Sequence, residues 1–587
     1  MVDSEDIDIE NLQFFNRKIT RRQAIAKATA AGAAIGVAIV AGAGGYLAGT
    51  SVSPGKSSTT TVTTTATQAT TSAASLGATP AERAVNAVKA LKAAGKIPAG
   101  AKIRFLEAAF RAGNMTPKAG DVRTDPYTGK TIQTSINMLT KWEDLTGIPV
   151  EIDLLNDLQL YDKAISEATT KAGTWDFLGQ RIDFLVDFIN AGVALDLTDF
   201  ETKYQPDIRT GNCQVVPVFA QGYYTSDGKY WGFPGCGDWF SYYNRRDLVT
   251  NPKLQSAFET QFGYQLPVNG PDTWDQVLDL ARFFDGYKGT EQTLPDGTTS
   301  TLRGAYFFRD TWFSNIEFRI RFLELGGLLF DSNKNVTLDN QITRKALQDM
   351  KALVPYQARD AFTSSWPTMY PNYANKQVFQ TISWASVAQF SASGPVGGQG
   401  FGVYLTPGYK LNNKLIRVTV LYDQTSYIVE KYGKLTSAVP DVPYLFGQWL
   451  TDPEISTQEL ANPGAISDYF RTCHGLDERM IGTFFAVWPP NPGLEPGRRG
   501  ASEAFDVQFQ ALCGTWQLAG LHELQDLWGT QMNAYFTDVQ DIDTTVRKMQ
   551  QGTDGVMDRL GRDAQYQRWQ YVMKTFPPAL KTLHGIS

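Results

Sequence analysis

Histidine is scarce in this chain. Only His474, His522 and His584 occur in 587 residues. None stands at metal-ligand spacing from another His or from a Cys, so no metal site is expected. Cysteine is scarce too: Cys213, Cys236, Cys473 and Cys513, with no C-x-x-C pair. That excludes a zinc ribbon and a thioredoxin-like motif. Two disulfides or four buried free thiols both stay open. Positive charge is in deficit, with 54 Lys and Arg against 60 Asp and Glu, a net charge of -6 and a pI near 5.4. Such a chain offers no basic field to nucleic acid. No G-x-S-x-G, H-E-x-x-H or EF-hand loop appears. Thr128-Gly129-Lys130-Thr131 ends like a phosphate loop, but position 124 is Thr where that loop needs Gly. The glycines at 397, 398, 400 and 402 lack dinucleotide spacing and lead into Val403. Acid/base catalysis would have to rest on a carboxylate pair, and nothing marks one. These motifs imply no cofactor.

Aromatic residues are plentiful, at 12% with 13 Trp and 25 Tyr. Most of them serve a large core. Some are expected to remain for a binding surface, since flat aromatic faces suit sugar rings. The length allows two or more domains.

The first 49 residues read as an export signal. Thr20-Arg21-Arg22-Gln23-Ala24-Ile25-Ala26-Lys27 resembles a twin-arginine signal, although Ala24 departs from the consensus and Lys27 falls one position late. The uncharged run from Ala28 to Thr50 is long enough to span a membrane, which needs about 20 apolar residues. It is expected to remain as an anchor, although Ala41-Gly42-Ala43 is compatible with cleavage. No Cys follows for a lipid anchor. Residues 50–79 are Thr/Ser-rich and cannot bury enough apolar surface to fold, so they read as a stalk. Asn114-Met115-Thr116 and Asn335-Val336-Thr337 are glycosylation sequons.

Beyond the stalk, helix and strand patterns alternate. Helices are expected over 80–96, 132–145, 158–172 and 184–191, and strands over 101–110, 148–155 and 175–178. The alternation argues an open α/β sheet, whose ligands sit at the carboxyl ends of its strands. That points to Glu107–Arg111 and to Gly179–Asp183.

The stretch Ser226 to Leu248, SDGKYWGFPGCGDWFSYYNRRDL, resembles the segment that crosses between lobes in extracellular solute-binding proteins of sugar importers, the maltose-binding-protein-like family 1. Other motifs fit the same family in order. They are Thr146-Gly147-Ile148, Trp175-Asp176-Phe177, Ala191-Gly192, Pro271-Asp272-Thr273-Trp274-Asp275, Gly326-Gly327-Leu328-Leu329-Phe330-Asp331, Tyr373 to Trp384 and Gln448-Trp449-Leu450. Thr273 is placed to cap a helix, with Gln276 as its capping-box partner. The resemblance spans roughly Lys102 to Gly561, with Gly475 to Gly500 as an ill-fitting loop. A stalked layout without a lipid-anchor Cys is more similar to archaeal surface receptors.

The resemblance implies a two-lobed type II periplasmic-binding-protein-like α/β fold with a hinge and an interlobe cleft. Lobe one is expected at 98–241 and 419–489, and lobe two at 243–418 and 490–587. It implies a monomeric, extracellular receptor that closes on a carbohydrate and delivers it to an ABC permease. The same fold with a peptide, polyamine or glycerol phosphate, and a surface carbohydrate-active enzyme, are the alternatives.

Expected ligand residues follow. Trp384 aligns with the family's sugar-packing Trp, although a core Trp fits the same position. Asp238 and Trp239 lie on the crossing segment. Trp312 lies in a loop near Arg309 and Asp310. Tyr422 and Asp423 end the returning strand. Glu107, Gln180, Arg181 and Asp183 come from strand ends. An Arg in the cleft is also compatible with an acidic ligand. Trp274 and Trp449 are assigned to helix packing.

Overall fold

The computed structural model describes residues 73–125, 129–287, 292–293, 299–392, 394–397, 400–480 and 508–586. The signal, nearly all of the stalk and most of the Gly475–Gly500 loop lie outside these residues. Among the described residues no helix is long and apolar enough to cross a membrane.

Two sheets organise the molecule. The first holds β1 (Ile103–Ala108), β2 (Val150–Leu155), β3 (Phe177–Arg181), β4 (Phe233–Pro234) and, from much later in the chain, β8 (Thr425–Val429). Its order is β2-β1-β3-β8-β4. β1 runs parallel to both neighbours, and β8 runs antiparallel to β3 and β4. β3 and β8 are buried throughout, which suits their apolar and β-branched content. Phe105, Phe177, Tyr427 and Phe446 pack ring on ring at 5.1–6.0 Å on one face. Each such burial contributes roughly 1.5–3 kcal/mol.

The second sheet is antiparallel. β5 (Phe240–Asn244) lies between β6 (Gln380–Trp384) and β7 (Gly402–Tyr404). The chain thus leaves the first sheet after β4, enters the second at β5, and returns from β7 to β8. The outgoing and returning segments pair through a bridge between Trp239 and Leu421. A third segment joins them where Leu512–Cys513 runs parallel to Thr419–Val420.

Local chemistry sets the element ends. Thr79 and Glu82 form a capping box with Pro80 at the first turn of Pro80–Ala93, and Thr273 and Gln276 form the expected one at Trp274–Phe284. Gly147, at φ +67°, ends Met138–Thr146 in the left-handed conformation. The helix expected from residue 132 starts only at Met138, capped by Asn137. Thr131–Thr134 is instead a strand paired with Val122–Thr124. Helix Pro80–Ala93 packs with the first sheet's helices: Arg83 donates to Tyr204 O at 3.1 Å, and Ala81 N to Asp452 at 3.0 Å. That body therefore begins before residue 98.

Cys213 and Cys473 form a disulfide, while Cys236 and Cys513 are buried free thiols. The bridge closes a span of 260 residues, and cross-links over long spans remove more unfolded-state entropy. Of the two sequons, Asn335 is exposed. Asn114 is fully buried, with its side chain accepting from Ile466 N at 3.3 Å, so it is corrected to a structural residue.

Candidate ligand-binding cleft

A cavity of about 550 Å³ opens where the two crossing segments pass between the sheets. One wall comes from strand ends of the first sheet. Glu107 stands near the end of β1, Asp157 opens the helix after β2, and Gly179, Gln180 and Arg181 end β3. The opposite wall is aromatic. Trp366 and Tyr370 lie one turn apart on Trp366–Ala374, with Trp384 at the end of β6. Phe110 approaches Trp366 at 5.6 Å between ring centres. Asp238 and Asp423, one on each crossing segment, line the floor with Thr425.

The charged groups are tightly arranged. Arg181 donates to Asp157 at 2.7 Å and pairs with Asp423 at 2.6 Å. Its remaining nitrogen, Nη1, is buried without a hydrogen-bond partner. Glu107 accepts from Ala108 N at 2.8 Å through Oε1, while Oε2 is buried, makes no hydrogen bond and lies 3.9 Å from Arg111 Nε. A Cβ at Gly179 would lie 2.3 Å from Glu107 Oε1, so glycine is needed there for the carboxylate to fit. Burial pushes the Glu107 carboxyl up to about 7, against the opposing pull of Arg111. Burial likewise pushes Asp238 up to about 6 and Asp423 well above the usual carboxylate range.

Asp238 (φ +47°) and Asp423 (φ +69°) both occupy the left-handed region. Non-glycine residues there cost of order 1–3 kcal/mol and cluster at functional sites. Here the conformation turns both carboxylates toward the cavity. Asp238 is held by Thr425 N at 2.9 Å and by the Cys236 thiol at 3.1 Å.

Of the ten residues expected from sequence, Glu107, Gln180, Arg181, Asp238, Trp384 and Asp423 line this cavity. Asp183, Trp239, Trp312 and Tyr422 do not line it. Asp183, two residues past the end of β3, is buried against Arg319 at 3.4 Å and Gln525 at 2.9 Å. Trp239 alternates with Asp238 along the crossing segment and so faces the other way. It packs on Tyr469 and Phe509 and donates to Gln508 at 2.7 Å. Tyr422 is in the same relation to Asp423, buried with its hydroxyl donating to Trp312 O at 3.1 Å. Trp312 lies behind Arg181, whose guanidinium sits 5.5 Å from its ring. Trp384 lines the cavity yet is only 5% exposed, packed on Phe240, Phe308 and Phe313. Trp274 and Trp449 are buried, as helix packing requires.

Asp157, Trp366, Tyr370 and Ser386 were not expected. Asp157 follows β2 and obeys the same strand-end rule that selected Glu107. Trp366 and Tyr370 stand at i and i+4, which puts them on one helix face. Ser386 meets the Tyr370 hydroxyl at 2.9 Å. Among the described residues no group of three or more His, Cys, Asp or Glu is placed to hold a metal ion.

No protein-family model matches the chain, and no curated protein matches it. Solved structures do. A solute-binding protein of an ABC transporter from Agrobacterium radiobacter K84, in complex with ribitol, aligns over 77% of this chain and 97% of its own, with TM-score 0.57 and 15% identity. Maltose-bound MalE3 of T. maritima aligns over 78% and 100%, with TM-score 0.56 and 14% identity. An ABC substrate-binding protein of Listeria monocytogenes, in complex with cycloalternan, aligns over 78% and 99%, with TM-score 0.56 and 11% identity. The fold is the two-lobed, type II periplasmic-binding-protein α/β fold, with a hinge and a cleft between its lobes.

Proposed function

We propose that the chain is an extracytoplasmic solute-binding receptor of an ABC transporter that captures a carbohydrate or polyol by hinge closure and passes it to a membrane permease. One observation carries this reading: a single cavity joins buried carboxylates and a guanidinium from one sheet's strand ends to an aromatic wall from the other lobe. Carboxylates and Arg181 bond hydroxyls, and Trp366, Tyr370 and Trp384 cover the ring's apolar face. The two crossing segments supply the hinge. Solved structures of this fold hold ribitol, maltose and cycloalternan, which supports the ligand class. Lobe one is assigned to 98–241 and 419–489, extended to include helix Pro80–Ala93. Lobe two is assigned to 243–418 and 490–587. Export by the twin-arginine-type segment and attachment through residues 28–50 complete the proposal.

A second reading rests on Glu107. A carboxyl titrating near 7 is what a glycosidase's general acid needs. One experiment separates the two. The full chain is titrated calorimetrically with mono- and oligosaccharides and polyols, and each sugar is recovered afterwards. Binding at about micromolar or tighter, roughly -8 kcal/mol, with the sugar intact supports the receptor. Cleaved sugar means an enzyme, and no binding across the series removes carbohydrate as the ligand.

A further inference from the structure

The charges around the cavity do not balance. Arg111 is shared between Glu459 at 2.8 Å and Glu107 at 3.9 Å. Nη1 donates to Ser467, and Nη2, the nitrogen on Glu459, also donates to Tyr427 OH and Gly235 O, while Nε makes no hydrogen bond. Arg181 is spent on Asp157 and Asp423. Asp238 and Asp468 have no cation within ion-pair distance among the described residues. Asp468 hydrogen-bonds Ala385 N at 3.1 Å and Cys236 Sγ through its own N–H at 3.0 Å. Arg319 is already paired with Asp183. The nearest histidine, His522, is stacked on Tyr161 at 4.0 Å and kept neutral by burial, with its titration pushed down to about 4. Around the cavity two guanidiniums, Arg111 and Arg181, thus meet six carboxyl groups; Glu107, Asp157, Asp238 and Asp423 line it with Arg181, and Glu459 and Asp468 do not.

Buried charge of one sign is costly unless a proton or a bound cation neutralises it, and burial raises Glu107, Asp238, Asp423 and Asp468 toward the protonated form. The same arrangement argues against an acidic ligand, because Arg181 has no uncompensated charge to offer. A further sign of a ligand is Glu107 Oε2: the residue has no exposure and lines the cavity, and this oxygen makes no hydrogen bond, with only Arg111 Nε beside it at 3.9 Å. Facing it across the cavity is the aromatic wall of Trp366, Tyr370 and Trp384, whose ring faces favour a cation. No metal-type cluster is present among the described residues, so an organic cation fits better than a metal ion.

We infer that the solute this cavity takes carries a protonated amine beside its hydroxyls, an amino sugar or amino polyol, with the ammonium directed at Glu107 and Asp238. This rests on the carbohydrate-receptor reading and narrows it. An ammonium gives charge-assisted hydrogen bonds to carboxylates, roughly twice as strong as those of a neutral hydroxyl. It also relieves the burial that raises Glu107 and Asp238.

The test is calorimetric, on the full chain at pH 7, with matched probes that differ only at the amine. The pairs are glucosamine with glucose, glucamine with sorbitol, and the de-acetylated chitin disaccharide with cellobiose. N-acetylglucosamine masks the charge, and spermidine carries amines without hydroxyls. The expected result is at least tenfold tighter binding of the amine member of a pair, lost on acetylation. Glu107→Gln and, separately, Asp238→Asn should each shrink that preference about tenfold. The wild-type pairs decide the matter even if a variant fails to fold. Equal or tighter binding of the neutral members overturns the amine inference and leaves the carbohydrate receptor standing. Spermidine binding with no hydroxylated probe bound keeps the amine and overturns carbohydrate. Silence from every probe overturns both.

Discussion

The two walls of the cleft are built on opposite principles. The strand-end wall is polar: Glu107, Asp157 and Arg181 stand at its strand ends, and ion pairs tie Arg181 to Asp157 and to Asp423 on the floor. The facing wall is aromatic, and Trp366 there is only half-buried. Charge in a buried site couples to the stability of the whole fold, because each group is desolvated whether or not ligand is present. A half-exposed ring couples to ligand alone. The polar wall should therefore respond to mutation in stability and pH, and the aromatic wall in affinity.

Arg181→Met should have the largest effect. It leaves Asp157 and Asp423 facing each other without a cation, and such breakages cost about 3–5 kcal/mol. Urea unfolding measures it, and a loss under 1 kcal/mol would mean water already compensates the pair.

pH comes next. Glu107, ordinarily near 4.5, titrates at about 7 in the folded protein. Between those values the folded state binds the proton and the unfolded chain does not, so stability falls as pH rises. That single group contributes on the order of 3 kcal/mol across the window. Asp238, at about 6, adds in the same direction. Unfolding midpoints should drop from pH 5 to pH 8, and Glu107→Gln should flatten the slope. A midpoint that climbs over that range would reverse the picture.

The two cleft tryptophans sharpen the contrast within one wall. Trp384→Ala should lose affinity and also about 3 kcal/mol of stability, because its ring fills a pocket of three phenylalanines. Trp366→Ala should lose affinity alone, about tenfold, with the unfolding midpoint nearly unchanged. Matched losses of stability in both variants would show that exposure does not separate the roles.

The smallest effect belongs to Trp239→Phe. It should cost about 1 kcal/mol through the lost bond to Gln508, whose oxygen keeps Ser241 at 2.6 Å. Affinity should hold within a factor of two. A tenfold loss would return Trp239 to the ligand site, or show that hinge packing sets closure.

How much was legible follows the same division. The strand-end rule found Glu107, Gln180 and Arg181 because a parallel strand delivers its last residues to one edge of the sheet. It overshot at Asp183, where a 3-10 turn over Ile182–Phe184 bends the chain away. It was not applied after β2, and so passed over Asp157. On the crossing segments the expected residues came as adjacent pairs, and one member of each pair lines the cavity. In each of the pairs Asp238–Trp239 and Tyr422–Asp423 the aspartate is in the left-handed conformation and lines the cavity, while its aromatic neighbour packs away from it. Which side faces the cavity depends on where the other lobe sits.

The sequence by itself determined the alternation of helix and strand, the helix cap at Thr273, and the class of fold, because those rest on local propensity and on motifs a few residues long. Only the tertiary structure decided the Cys213–Cys473 bridge, the burial of Asn114, the turning of two left-handed aspartates into one cavity, and the six carboxylates gathered around two arginines. Those features join residues up to hundreds of positions apart. Their energies depend on burial and on distances between charges, and neither exists until the chain has folded.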